Sequence, residues 1–224
     1  MPKIQVLDKQ VAELIAAGEV VDRPASVIKE LVENAVDAGA TIITVEIRRG
    51  GVTFMRVTDN GCGIAPEDVP TAFLRHATSK VVKEDDLNSI ATLGFRGEAL
   101  ASISAVAHVE LLTRVSGAVS GVRYTGGGSE EYTLEDAGCP EGTTILVRDL
   151  FYNTPARMKF LKKDSTEGNS VAGILDKLIS SGDFFPLYSG WERTAAHSWR
   201  REAFLYHLRG VWQGIFFYPD SGQL

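Results

Sequence analysis

Glu30, Glu33, Asn34 and Asp37 fall at i, i+3, i+4 and i+7, the spacing that sets four side chains along one face of an α-helix. From Ser26 to Ala38 the chain has no glycine or proline. Pro24 stands where a first helical turn tolerates it, and Gly39 follows as a left-handed cap. Val27, Ile28, Leu31, Val32, Ala35 and Val36 supply the apolar face. The ordinary outcome for such a helix is a solvated polar face. None of the four is Lys or Arg, however, and three carboxylates beside one amide repel one another unless a cation or proton sits close. A Mg²⁺ held by the amide oxygen of Asn34 and by phosphates, with a neighbouring carboxylate to handle water, would account for the crowding.

Two further stretches suit the same ligand. Asp59-Asn60-Gly61-Cys62-Gly63-Ile64 closes a strand-like run. It reads either as an ordinary Asp/Asn turn, or as a carboxylate accepting from an exocyclic amine such as that of adenine, with Gly61 and Gly63 letting backbone approach a flat ligand. Thr78-Ser79-Lys80 and Gly94-Phe95-Arg96-Gly97 precede a helix that runs through Ile103 to Ala105. Free backbone N–H groups, the helix dipole, Lys80 and Arg96 suit phosphate there. The alternative is a surface loop ending in a helix cap. No GxxxxGK[ST] occurs, so this is no P-loop.

The elements that must position these residues follow from periodicity. Leu7 to Ala17 is expected as a short helix with Val11, Leu14 and Ile15 on one face, stopped by Gly18. Thr41–Arg48 and Val52–Thr58 alternate like strands about a Gly50-Gly51 turn. Pro66–Leu74 reads as a helix anchored by Val69, Phe73 and Leu74. His108–Arg114, Gly121–Tyr124, Glu131–Leu134 and Gly142–Arg148 read as strands. Asn153 to Arg157 begins a helix with Met158, Phe160 and Leu161 as apolar contacts, and Ser170–Leu178 is helical. Neither an internal repeat nor a doubly wound βαβ alternation is visible.

Composition bounds the rest. The chain has 224 residues, 44% of them apolar, and a net charge of −6, so bulk charge attracts neither DNA nor anionic membrane. Cys62 and Cys139 have neither CxxC spacing nor a histidine companion, which argues against zinc and for two thiols in a reducing compartment. With no signal-peptide pattern and no apolar run of membrane-spanning length, a cytoplasmic protein without membrane contact is expected.

Taken together, Glu30-Leu31-Val32-Glu33-Asn34, Asp59-Asn60-Gly61-Cys62-Gly63, Thr78-Ser79-Lys80, Gly94 to Leu100 and Gly142-Thr143 closely resemble the Bergerat-fold (GHKL) ATPases. These are the family of DNA gyrase B, the Hsp90 chaperones, sensor histidine kinases and MutL-type mismatch repair proteins. Gly94 to Leu100, Ala17 to Pro24 and Phe151 to Arg157 resemble the MutL-type members specifically, and the likeness runs from about Ile4 to Leu178. The resemblance implies an α+β, two-layer sandwich, with a mixed, mostly antiparallel sheet and helices on one face. It implies ATP and Mg²⁺ as cofactors, with Glu30 as general base and Asn34 as the Mg²⁺ ligand. Asp59 would read adenine, with Gly61 and Gly63 lining its pocket and Thr143 as a second contact. Thr78, Ser79 and Lys80 would lie in an ATP lid whose phosphate-cradling end is Gly94, Phe95, Arg96 and Gly97. It further implies DNA and a MutS-type mismatch-recognition protein as partners, and a nucleotide-gated clamp that closes as a homodimer in the full-length family member. A chaperone, a sensor kinase and a nucleotide-binding fragment without turnover are the competing readings.

From Ile179 the character changes. The last 46 residues hold 11 of the 19 aromatics and all three tryptophans, and no lysine. This stretch does not align by eye with the S5-like second domain that follows in the family. Tryptophan has a single codon, whose one-base shift forces glycine. All three tryptophans then become glycines at plausible turns. The expectation is therefore a Bergerat-fold domain over 1–178 and, over 179–224, a frameshifted tail that is not natively folded, with the switch near residues 179–182. The coding DNA across that point decides it.

Overall fold

The computed structural model describes residues 5–78, 97–128 and 130–180, with the backbone of three further segments, Glu192–Thr194, His207–Arg209 and Ile215–Tyr218. Four helices, α1 (Lys9–Val20), α2 (Pro24–Asp37), α4 (Ala99–Val106) and α6 (Asp164–Ser180), are joined by the short turns α3 (Val69–Ala72) and α5 (Pro155–Met158). The strands are β1 (Ile43–Arg48), β2 (Phe54–Asp59), β3 (His108–Arg114), β4 (Gly121–Gly127), β5 (Thr133–Ala137) and β6 (Gly142–Arg148), followed by the short β7 (Glu192–Thr194), β8 (His207–Arg209) and β9 (Ile215–Tyr218).

One sheet runs in the order β5-β4-β3-β6-β2-β1-β9. Every pairing in it is antiparallel except β1 with β9, so the expected α+β architecture holds. Strands β7 and β8 form a separate antiparallel pair. The period of two sorts the sheet into two faces. Val45, Val57, Ile145, Leu111 and Tyr124 are directly opposed across five strands and all buried beneath the helices. On the other face Glu110 takes ion pairs from Arg123 (2.9 Å) and Arg148 (2.9 Å), and Phe54 lies under the guanidinium groups of Arg48 and Arg148. Among the described residues the helices cover the apolar face.

Helix α2 is the centre of the helical layer and packs on β1, β2, α4 and α6. Pro24 opens it, and Ala25, Val27, Ile28, Leu31, Val32 and Ala35 are buried. Its end is a Schellman motif: Gly39, at φ +74°, donates to Val36 (2.8 Å), and Ala40 donates to Ala35 (3.1 Å).

Several expected elements differ. Helix α1 runs through Gly18 to Val20, and it exposes Val11 and Ile15 while Ala17 and Val21 are buried. Gly18 serves a different purpose: a Cβ there would collide with the guanidinium of Arg157, which donates to the carbonyl of Leu14 (2.9 Å). The Gly50-Gly51 connection is a 3₁₀ turn over Arg49–Gly51. The expected helix over Pro66–Leu74 shrinks to α3; Phe73 stacks on Tyr124 with ring centroids 4.0 Å apart, while Leu74 is exposed. Met158 and Phe160, expected as apolar contacts, are exposed as well.

Candidate functional site

The strand-end row of the sheet is polar where the rows behind it are apolar. Asp59 on β2 pairs with Thr143 on β6, which pairs with Thr113 on β3, so three polar side chains share the helix-facing side at neighbouring strand ends. Asp59 Oδ1 accepts from the backbone N–H of Gly61 (2.8 Å) and of Thr143 (3.3 Å). Among the described residues nothing donates to Oδ2. Burial pushes the Asp59 carboxyl above its usual range, against the opposing pull of the Gly61 and Thr143 N–H groups.

The turn after Asp59 is locked to its surroundings. Cys62 N–H donates to the carbonyl of Ala38 (2.9 Å) at the end of α2. Gly61 has no room for a Cβ, which would lie 2.8 Å from both the Cβ and the carbonyl oxygen of Ala38. Gly63, at φ +72°, lies against the backbone of Arg114. The two glycines thus admit protein backbone, not only a ligand. Gly63 lines the cavity described next, and Gly61 stands behind it.

A cavity of ≈ 1000 Å³ lies between this sheet end and the helices. Glu30, Glu33, Asn34 and Asp37 line it from α2, Asp59, Gly63 and Thr143 from the sheet side, and Thr78 and Gly97 from the flanks of the segment between them. Ser79, Lys80, Gly94, Phe95 and Arg96 lie outside the described residues. The acidic face of α2 is less bare than its sequence suggests. Lys29 Nζ reaches Glu33 (2.8 Å) and Glu30 (3.6 Å), so a protein cation already offsets part of the crowding attributed to Mg²⁺. Burial raises the Glu33 carboxyl, opposed by Lys29 and reinforced by Glu30 and Asp37. Desolvation would lower the Lys29 ammonium, but Glu33 and Glu30 hold it above its ordinary value.

The flanks of segment 79–96 meet at the cavity. Gly97, at φ +60°, packs so closely on the backbone of Ala77 that a Cβ would collide with its carbonyl. His76 Nδ1 stands 3.2 Å from Glu98 Oε1. Helix α4 then begins after Glu98, whose side chain makes no capping hydrogen bond, so Glu98 leaves the first-turn N–H groups uncapped.

Sequence reasoning missed two participants. Thr113 is 1% exposed and looks like any polar residue of an alternating strand; only the pairing of β3 with β6 reveals it. Lys29 could have been found from its i, i+4 spacing to Glu33. Away from the cavity, Arg157 belongs to the stretch Phe151 to Arg157 that carries the MutL-type likeness, but its hydrogen bonds to Leu14 and Ile15, 143 and 142 residues away, could not be read locally.

Residues 22–127 match the family described as histidine kinase-, DNA gyrase B-, and HSP90-like ATPase. The DNA mismatch repair protein MutL of Agathobacter rectalis is 50% identical over 94% of this chain, more than residues 1–178 can supply, so that alignment enters the tail. MutL of Acidobacterium capsulatum is 56% identical over 78% of it. The chain spans 33% and 26% of those two relatives. Among solved structures, the Aquifex aeolicus MutL ATPase domain complexed with ADP superposes with a TM-score of 0.59 at 35% identity, covering 73% of this chain and 57% of that one. Both curated relatives and this structural neighbour point the same way: the chain belongs to the MutL family of DNA mismatch repair proteins and matches the N-terminal part that carries its ATPase fold.

Proposed function

We propose that the cavity binds ATP with Mg²⁺, and that residues 1–178 form the ATP-hydrolysing domain of a MutL-type mismatch repair protein. The observation that carries this reading is the polarity of the cavity's two sides. One side offers Asp59, its Oδ1 fixed by two backbone donors and its Oδ2 open. The other offers the carboxylates and amide of α2. An adenine amine suits the first side. A triphosphate with its metal suits the second.

The donor set fits Mg²⁺ in a particular way. Among the described residues no cluster of three His, Cys, Asp or Glu side chains could hold a metal unaided. Mg²⁺ commonly takes one or two protein ligands and completes its shell with phosphate oxygens and water. Asn34 would supply the protein oxygen, and the ion would neutralise phosphate charge. Glu30 lines the cavity one helical turn from Asn34 and would orient and deprotonate the attacking water. Thr78, Ser79, Lys80, Gly94, Phe95, Arg96 and Gly97 would enclose the phosphates, and Thr143 and Gly63 the base.

A sensor kinase needs a free phospho-accepting histidine, and neither of the two histidines with described side chains fits that role. His76 faces Glu98, and His108 stacks on Tyr152 with ring centroids 4.1 Å apart. The names of the relatives support a role in DNA mismatch repair, with DNA and a MutS-type protein as partners; closure as a homodimer and a cytoplasmic location are proposed along with that role. No described helix is long and apolar enough to cross a membrane.

The test uses the whole chain. A fluorescent ATP analogue is expected to bind the wild type and to lose affinity in Asp59→Asn. ATP hydrolysis is expected in the wild type and to vanish in Glu30→Ala while binding persists. Equal binding by the wild type and Asp59→Asn refutes the adenine assignment. Binding with no turnover above the Glu30→Ala background leaves a nucleotide-binding fragment instead.

A further inference from the structure

The acidic wall of the cavity carries a cation of its own, and a buried carboxylate anchors it. Among the described residues Lys29 is the only lysine or arginine that lines the cavity. Its ammonium stands 2.8 Å from Glu33 and 3.6 Å from Glu30 Oε1. The first contact joins i and i+4 and is an ordinary helix pair. The second is not, because residues i and i+1 point in different directions from a helix. The Lys29 side chain leans across the face of α2 to stand near both. A fully exposed pair of this kind contributes little. Here the Glu33 side chain is only 8% exposed, so the anchor of Lys29 lies inside the fold and its charged hydrogen bond fixes where the ammonium stands.

We infer that Lys29 is a positioning residue for hydrolysis: its ammonium holds the Glu30 carboxylate in its working place, and Glu33 keeps that ammonium from closing on it. This rests on the hydrolytic reading above, in which Glu30 is the base. At 2.8 Å Glu33 accepts a hydrogen bond from Lys29. At 3.6 Å Glu30 lies beyond hydrogen-bond length and feels the charge. Glu30 is thus restrained while its oxygens keep their lone pairs for water. Glu30 and Glu33, at i and i+3, share one helix face and repel one another once the cation beside them is gone. Glu30 then turns away from Glu33. In this role Lys29 does not touch the nucleotide, which separates it from a phosphate ligand. A phosphate ligand raises affinity, whereas a residue that places the base raises turnover.

The test uses the full chain, with kcat from steady-state ATP hydrolysis and affinity from titration of a fluorescent ATP analogue. Lys29→Met keeps the length of the side chain and removes its charge. It is expected to lower kcat about tenfold to a hundredfold, the effect of misplacing a reacting group by about an ångström, and to leave analogue affinity unchanged. Lys29→Arg keeps the cation and is expected to recover most of kcat. A second readout is independent of turnover: the urea midpoint of a cycle with Glu30→Gln. In the Lys29→Met chain Glu30→Gln only relieves repulsion from Glu33, so the midpoint is expected to rise. In the wild type it also forfeits the attraction to Lys29, so the midpoint is expected to rise less or to fall. Should Lys29→Met fail to fold, Glu33→Gln frees the ammonium to close on Glu30 and is expected to lower kcat as well. An unchanged kcat in a folded Lys29→Met or in Glu33→Gln overturns the inference, as do equal midpoint shifts in the two backgrounds. Lost affinity with kcat intact also overturns it and makes Lys29 a phosphate ligand. A wild type that hydrolyses no ATP overturns the hydrolytic reading, and this inference with it.

Discussion

Arg157 and Gly18, 139 positions apart in the chain, occupy one another's space: the guanidinium lies where a side chain on Gly18 would begin. Arg157 Nη2 donates there to the carbonyls of Leu14 (2.9 Å) and Ile15 (3.4 Å), so α5 is fastened to the middle of α1. Two opposed effects follow for Gly18→Ala. Alanine is favoured over glycine in a helix by ~1 kcal/mol. Evicting the guanidinium loses hydrogen bonds from a charged donor, worth about 1.5–3 kcal/mol. The second effect is larger, so Gly18→Ala is expected to destabilise the wild type by ~1 kcal/mol. In an Arg157→Ala background only the first effect remains, and Gly18→Ala is expected to stabilise. Urea denaturation of the four chains of this double-mutant cycle reads the sign reversal; the same sign in both backgrounds would show that the contact is not what keeps the glycine.

Helix α2 and strands β1, β3 and β6 were legible because their apolar residues repeat with one period and their ends carry their own punctuation, Pro24 and Gly39 among them. Asp59 at the end of β2 read either as a turn residue or as an acceptor, and only the family resemblance favoured the second reading. Gly18 was misread because its reason lies in Arg157, not in the helix around it. Val11 and Ile15 share a helical face as their spacing implies, but spacing does not say whether anything covers it, and both are exposed. Thr113 was invisible, since its importance depends on standing opposite Thr143 across a strand pairing with a separation of 30 residues.

Gly39 and Gly63 have nearly the same backbone, φ +74° and φ +72°, and different surroundings. A Cβ at Gly39 would meet nothing within 4 Å, whereas one at Gly63 would strike the backbone of Arg114. Gly39→Ala therefore carries only the left-handed penalty, about 1–2 kcal/mol. Gly63→Ala carries that penalty and must also push β3 away from the turn after Asp59, so its cost is expected to exceed that of Gly39→Ala by at least ~1 kcal/mol. It is also expected to lower nucleotide affinity, because the same turn supplies the Gly61 N–H to Asp59. Chemical denaturation and analogue binding on both variants test this; equal stability losses would mean that the turn after Asp59 yields more easily than its contacts suggest.

Asp59 is held as an acceptor at a cost to the fold, and the sign can be worked out. Burial raises its carboxyl above the ordinary aspartate value. A raised acid favours the folded state while protonated and loses that advantage as pH rises through the folded-state value. At neutral pH the ionised Asp59 is therefore a net burden, retained because an ionised Oδ2 can only accept. Asp59→Asn is expected to be at least as stable as the wild type at pH 7 while binding the ATP analogue poorly. The stability difference between the two should shrink as pH falls into the range where Asp59 takes up its proton. Analogue affinity of the wild type should fall over that same range, which lies above that of an exposed aspartate. Denaturation midpoints and affinities measured from pH 4 to pH 8 follow both curves. A variant clearly less stable than the wild type at pH 7 would mean that the N–H groups of Gly61 and Thr143 outweigh burial, and that Asp59 serves the fold as well as the ligand.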